Sequence, residues 1–351
     1  MPRERRSDDM RRHVWPGETR RRGRCGMMLP TAAVHGIVVA AVVATFAGDV
    51  VRAAPENPNG HALTAAQQTV PYPPRHGQTS NSGEFRSLSV DQAIERCVKD
   101  DMEAVGAPGA SVTVILDGQV IFERGFGVRH RGHPEPITSE TRFRIGSATK
   151  MFTAAAVLQQ AELGLVDLDA PVTDWIPELR LSGPWLAESV TIRHLLTHSA
   201  AVPDHYEDPL GLVGDGALAA WAGSLQSVRL HAPPGMFWNY SNPGFSLAGL
   251  VAERASGVPF RELVQTRIFD AAGMHASTFD PAEVMASGNF AAGHPPPSSG
   301  DPTIYAPDSF DSWIGAPAGQ AFSTSSDLAS WAQLLMDGGG VVLAEASAVA
   351  M

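Results

Sequence analysis

Ser147 and Lys150 stand three positions apart in R-I-G-S-A-T-K-M-F-T at 144–153. A serine hydroxyl attacks a carbonyl only when a neighbouring base accepts its proton. A lysine amine can be that base if burial and positive surroundings depress its pKa. Positions i and i+3 share one face of a helix, so the amine can reach back to the hydroxyl. Ser147 also falls where a loop becomes a helix. First-turn N–H groups lack intrahelical partners, and with the helix dipole they favour negative charge, as on an acyl-transfer oxyanion. The competing reading is structural: serine is a favoured N-cap, and S-x-x-K recurs by chance. Composition weighs against it. Of 26 basic residues only Lys99 and Lys150 are lysines, so a lysine here points to a need for a titratable amine.

A second pair lies in P-P-G-M-F-W-N-Y-S-N-P-G-F at 233–245. In an extended piece Tyr240 and Asn242 point the same way, offering a phenol and a carboxamide to one site. The structural alternative is a ring-anchored tyrosine with an asparagine capping the next turn. Other candidates are weaker. His194 and His198 stand at i and i+4, but Leu195 occupies the place of the glutamate that a metalloprotease helix needs. Helix packing and loop hydrogen bonds are the preferred roles for both, and no cysteine–histidine spacing resembles a zinc site. Asp204-His205 has no G-x-S-x-G elbow to serve. Gly125-Phe126-Gly127 lacks the third glycine and the helix of a dinucleotide loop. The tryptophans read as core or loop anchors, with Trp238 and Trp313 as candidates to line a cleft.

These residues need elements to position them. Ser89 and Gln92 form a capping box for a helix to about Glu103, with Val90, Ile94, Cys97 and Val98 on one side. Two β-rich runs between 110 and 127 joined by Asp117-Gly118 predict a hairpin. The stretch from Ala148 to Leu163 predicts a helix stopped at Gly164. Short helices alternate with loops over 165–235. Further helices are predicted over 245–255, closed by Gly257, over 260–270, and over 327–336 after Ser323-Thr324-Ser325-Ser326.

The chain has 351 residues, 44% hydrophobic and 18% charged, an ordinary globular composition. A net charge of −11 argues against nucleic acid as a partner. Residues 1–53 break that balance with ten arginines against five acids. They precede or flank an apolar run at 27–47 and a small-residue exit, the pattern of a secretory signal. An uncleaved membrane tether through 27–47 is the alternative. Both place the body of the protein outside the cytoplasm. Residues 1–53 are thus expected to be a basic head with signal or anchor, 54–87 a linker, and 88–351 the working domain. With the signal removed, Cys97 is left without Cys25 and is expected to be a core residue rather than a reactive thiol.

S-x-x-K followed 93 residues later by Y-x-N resembles the serine β-lactamase / D,D-peptidase superfamily, nearest its class C β-lactamase, carboxypeptidase and esterase branch. G-L-V-D-L-D-A-P-V, V-T-I-R-H-L-L-T-H-S and A-G-Q-A-F-S-T-S-S-D-L-A extend the resemblance over roughly 90–351. It implies a mixed α/β fold: an antiparallel sheet flanked by helices, plus a helical region. It implies that Ser147 becomes acylated, that Lys150 and Tyr240 share the proton work, that Asn242 binds the substrate amide and helps place the Lys150 chain, and that no metal or organic cofactor takes part. The Ser147 N–H would give half of an oxyanion hole. The implied substrate is a D-Ala-D-Ala peptide of peptidoglycan, a β-lactam or a small ester. The family's third motif, K-T-G or H-x-G, does not occur between 243 and 351. On that ground the domain is expected to be incomplete, lacking C-terminal strands, with an open hairpin edge, weak stability and poor activity. The alternative function is a non-catalytic relative that binds peptidoglycan-like ligands.

Overall fold

The computed structural model describes residues 39–43, 89–204, 211–295, 300 and 302–351. The first elements are β1 (Val39–Val43), α1 (Val90–Val105), β2 (Gly109–Leu116) and β3 (Gln119–Gly127). The Asp-Gly hairpin forms as expected: Asp117 at φ +50 and Gly118 at φ +76 supply the two left-handed residues of a type I′ turn. β2 and β3 pair antiparallel, with one irregularity at Val114/Ile115. The free edge of β2 is not open. β1 pairs with it in parallel, Val39 opposite Ser111 through Val43 opposite Ile115. Five residues of the apolar run read as signal or anchor thus lie in a strand, and the sheet is mixed rather than purely antiparallel. The rest of that run, the basic head and the linker lie outside the described residues. No helix among the described residues is long and apolar enough to cross a membrane.

The Ser89–Gln92 capping box opens α1, and Gly106 at φ +67 closes it. Ile94, Val98 and Met102 pack on Val112, Phe122 and Phe126 of the hairpin. Val90 is exposed, so the apolar face begins one turn later than its spacing suggested. Cys97 is half-buried and disulfide-bonded in the intact chain, whereas the lone thiol is expected for a chain without residues 1–53.

The remaining elements are β4 (Phe143–Arg144), α2 (Thr149–Glu162), α3 (Ile192–Leu196), α4 (Ala217–Ser224), α5 (Asn242–Ser256), α6 (Phe260–Val264), α7 (Pro281–Ser287), α8 (Ala316–Gly319), β5 (Phe322–Ser323), α9 (Ser325–Met336) and α10 (Glu345–Ala350). β4 and β5 pair antiparallel, Phe143 opposite Ser323. The main core lies among these helices. Phe152 of α2 is fully buried, edge-on to Phe269 at 4.9 Å and tilted to Trp331 of α9 at 5.1 Å. Such pairs are worth about 0.5–1.5 kcal/mol beyond their burial. α5 is buried continuously from Pro243 to Ala252, so its stripe of small and large apolar residues has no solvent side there.

The contact of α2 and α5 with α8 sets the site. Three buried hydroxyls grip the backbone around α8: Thr153 donates to Pro317 O at 2.7 Å, Ser246 to Ile314 O at 2.7 Å, and Thr149 accepts from Ala321 N at 3.2 Å. Gly249 of α5 permits this approach. A Cβ there would overlap the Pro317 ring, 2.6 Å from its Cβ, and crowd Phe260. Gly249→Ala is therefore expected to destabilise the fold by about 1–3 kcal/mol through overpacking against a rigid ring. Thermal unfolding followed by circular dichroism checks this. An unchanged midpoint would show that α8 is free to move away.

Candidate active site

A 3-10 turn at Gly146–Ala148 runs directly into α2. Gly146 takes φ +54, a conformation that disfavours a side chain, and Thr149 Oγ1 closes the turn on Gly146 O at 2.7 Å. Ser147 is therefore inside the turn, not capping it: Ile145 and Ala148 hold the two N-cap positions, and neither makes a side-chain cap bond. Its hydroxyl is exposed to solvent and bonded to two other side chains.

One turn on, Lys150 is 7% exposed. Its Nζ lies 3.2 Å from Ser147 Oγ, 2.7 Å from Asn242 Oδ1 and 2.7 Å from Ala318 O. Tyr240 donates its phenol to Ser147 Oγ at 2.6 Å. The structure thus brings Ser147, Lys150, Tyr240 and Asn242 into one cluster. The route differs from the sequence expectation at one point. Asn242 is the first residue of α5, not part of an extended loop; Ser241 is the N-cap, and its Oγ accepts from Gly244 N at 3.0 Å. Pro243 follows at the helix start, where its missing N–H costs nothing.

A second layer fixes the first. Asp204 accepts from both Asn242 N (2.8 Å) and Asn242 Nδ2 (3.1 Å). With its amide nitrogen held there, Asn242 must turn its oxygen to Lys150. His198 sits at φ +55 and accepts from Ser241 N on Nδ1 at 3.1 Å. Its ring stacks on Tyr240 at 4.5 Å and tilts against Phe245 at 4.9 Å. Its backbone oxygen accepts from Asn239 N at 2.6 Å, which pins the strand leading to Tyr240. Sequence reasoning anticipated loop hydrogen bonds for His198 but missed the role of Asp204. His194 and His198 are not paired on one helix, because α3 ends at Leu196; His194 Nδ1 accepts from Thr191 N instead, at 3.2 Å. His205 lies outside the described residues. Trp238 is 67% exposed, beside His198 and Tyr240 at the rim, while Trp313 stacks with Arg261 away from the four-residue cluster.

Burial pushes the Lys150 amine down to about 8, against the opposing pull of the Asp204 carboxylate. Burial also pushes the Tyr240 phenol up, partly relieved by its bond to Ser147 and reinforced by Asp204. The His198 ring is held below its usual range by burial and then by Lys150. Near neutral pH the phenol is protonated, and a substantial fraction of the amine is within reach of deprotonation. A neutral amine keeps two hydrogens for Asn242 Oδ1 and Ala318 O, the two shorter bonds, and turns its lone pair to Ser147. The cluster can therefore take the Ser147 proton on nitrogen while a phenol waits as donor on the other side of the same oxygen.

Residues 94–351 match the family model described as Beta-lactamase. The chain is 28% identical over 249 residues to Penicillin-binding protein 4 of Amycolatopsis lactamdurans, covering 70% of this chain and 65% of that protein. It is 35% identical over 191 residues to Esterase EstB of Burkholderia gladioli, covering 50% of this chain and 48% of that protein. The chain thus spans about half to two thirds of the length of these relatives. The structure of the octameric penicillin-binding protein homologue from Pyrococcus abyssi superimposes with a TM-score of 0.63 at 28% identity, over 73% of this chain and 58% of that one.

The rate at which a fluorophosphonate labels Ser147 is expected to rise with pH through about 8, as Lys150 loses its proton. Asp204→Asn removes the charge that holds the amine up, so its midpoint is expected at lower pH. A profile that is flat from pH 6 to about 9, the range bracketing a depressed lysine, would remove Lys150 from the role of base.

Proposed function

This chain belongs to the beta-lactamase family, and on that premise we propose that it is a serine hydrolase working through an acyl-enzyme. The observation that carries the proposal is the pair of bonds on Ser147 Oγ, from a buried amine at 3.2 Å and from a phenol at 2.6 Å. In the first step neutral Lys150 takes the Ser147 proton as Oγ attacks the substrate carbonyl. The carbonyl oxygen gains the negative charge, which the Ser147 N–H and the helix N-terminus stabilise. The tetrahedral species collapses when the bond to the leaving nitrogen or oxygen breaks. Tyr240 donates its phenolic proton to that atom, and the Lys150 ammonium supplies the proton that restores the phenol. Water then attacks the acyl carbonyl, giving its proton to the same pair, and Ser147 is released with its hydrogen.

The depressed amine and the raised phenol support this division of labour. Were Tyr240 the resting base, it would have to ionise first, against both burial and the Asp204 charge. Asn242 has its oxygen on Lys150 and its nitrogen on Asp204, so it holds the amine, and its second N–H remains for the carbonyl of a substrate amide. The relatives named as a penicillin-binding protein and as an esterase support a carbonyl substrate, an amide or an ester: a D-Ala-D-Ala peptide, a β-lactam or a small ester. We also propose export, from the arginine-rich head and the apolar run of 27–47.

Incubation with a fluorescent penicillin and with a fluorophosphonate is expected to label the chain, and Ser147→Ala to abolish the label. Tyr240→Phe is expected to slow p-nitrophenyl ester hydrolysis by about 10²–10⁴, the span of a lost general acid. Folded chain that never labels would favour the non-catalytic binder. Mass spectrometry of the protein recovered outside the cytoplasmic membrane is expected to find a mature start near residue 54. Recovery of the chain solely from the cytoplasm, with its head intact, would refute export.

A further inference from the structure

Away from this cluster, the loop that follows the first hairpin carries R-H-R-G-H-P-E at 129–135. The loop is closed at its base. Val128 bridges Pro136, and Arg129 N donates to Glu135 O at 3.0 Å. Gly132 at φ +84 turns the chain inside it, and His133 N bonds back to His130 O. The result brings three ligand types together: the metal-binding atoms of His130, His133 and Glu135 all lie within 4.8 Å of one another. The two imidazole rings are 3.9 Å apart, and His133 Nδ1 is 3.5 Å from Glu135 Oε2. We propose that His130, His133 and Glu135 form a binding site for a zinc-type divalent ion.

Four observations carry this. His130 Nδ1 lies 3.1 Å from Arg131 O. A neutral ring donates there, which fixes the tautomer and leaves Nε2 as a lone pair, the arrangement by which protein carbonyls orient ligating histidines. Two imidazoles with one carboxylate suit zinc or its first-row neighbours rather than magnesium or calcium, which take oxygen ligands. The neighbouring cations are bonded to backbone oxygens, Arg131 to Gly106 O at 3.3 Å and Arg129 to Gly288 O, though Arg129 also edges the cleft and its charge acts on Glu135. Finally, the ligands edge a cleft of about 320 Å³ whose other walls include Phe290, Ala292 and Ile304. Three protein ligands leave a fourth position to water or to an anionic group held in that cleft. Ligand bonds of about 2.0–2.1 Å require the three atoms to close up modestly from their present spacing, by rotation of the exposed His133 side chain.

Isothermal titration of the untagged, EDTA-stripped full chain with zinc chloride is expected to show one ion per chain, and titration with magnesium chloride none. His130→Ala and His133→Ala are each expected to weaken zinc binding at least about tenfold, and Glu135→Gln to weaken it less. His275→Ala, an exposed histidine elsewhere, is expected to leave it unchanged. Circular dichroism of each metal-free variant establishes that it is folded. Should a variant unfold, cobalt(II) substitution of the parent chain supplies the second measurement, through the strong visible absorption of a tetrahedral nitrogen–oxygen site. Absence of zinc binding, undiminished binding in the His130→Ala/His133→Ala pair, or a purely octahedral cobalt spectrum would overturn the proposal.

Discussion

The buried amine of Lys150 is the constraint on which the rest of the site depends. An ammonium 93% removed from solvent must find acceptors or give up its proton. Here it does some of both. Three oxygens surround it, one a hydroxyl on the turn before α2, one a carboxamide at the start of α5, one a carbonyl at the end of α8. No single element could supply that shell. Two helices and a short third must meet at one point, and the close crossing at Gly249 and Pro317 is what lets them. The aromatic rings of Tyr240 and Phe245, at 4.7 and 5.6 Å, give the charged form further support. The balance brings the amine down to about 8, close enough to neutral pH for a minor fraction to serve as a base.

How much of this was legible in the sequence depends on what kind of group does the work. Side chains with unusual chemistry announced themselves: a rare lysine one turn after a serine, and a tyrosine two before an asparagine. Their convergence across 93 residues was not a matter of periodicity and rested on a resemblance to a family. Asp-Gly and the Ser89–Gln92 box were legible because local backbone physics determines them. Ala318 was invisible, because its contribution is a carbonyl that every residue carries. His198 and Asp204 were seen, and zinc and a triad were set aside for them, but the particular backbone each holds was not legible. Each serves by accepting a backbone N–H that aims another side chain.

The apolar run shows the opposite limit. A run rich in valine and alanine satisfies a signal, an anchor and a buried strand equally well, since hydrophobicity without a helical period fits all three. The pairing of Val39–Val43 with β2 makes the third option concrete, because an exposed strand edge is a row of unpaired donors and acceptors that any β-prone segment can satisfy. Export with cleavage and this pairing exclude one another in a single molecule, since cleavage near residue 54 removes β1. Under the proposed export, cleavage would uncover the β2 edge with which this segment pairs.

Tyr240 and Lys150 meet the same burial with opposite results, and that opposition gives the reaction its direction. Desolvation disfavours charge on either group, so it lowers the amine and raises the phenol. Asp204 sits close enough to act on both and pushes both upward, against burial at the amine and with it at the phenol. One carboxylate, fixed on the Asn242 amide, therefore biases both groups in the same direction while burial dominates each. A site that placed a cation at 204 would pull both values down, inviting a phenolate base and an amine without a proton to return. With aspartate there, the arrangement suits the proposed mechanism, in which the amine takes the first proton and the phenol gives one up.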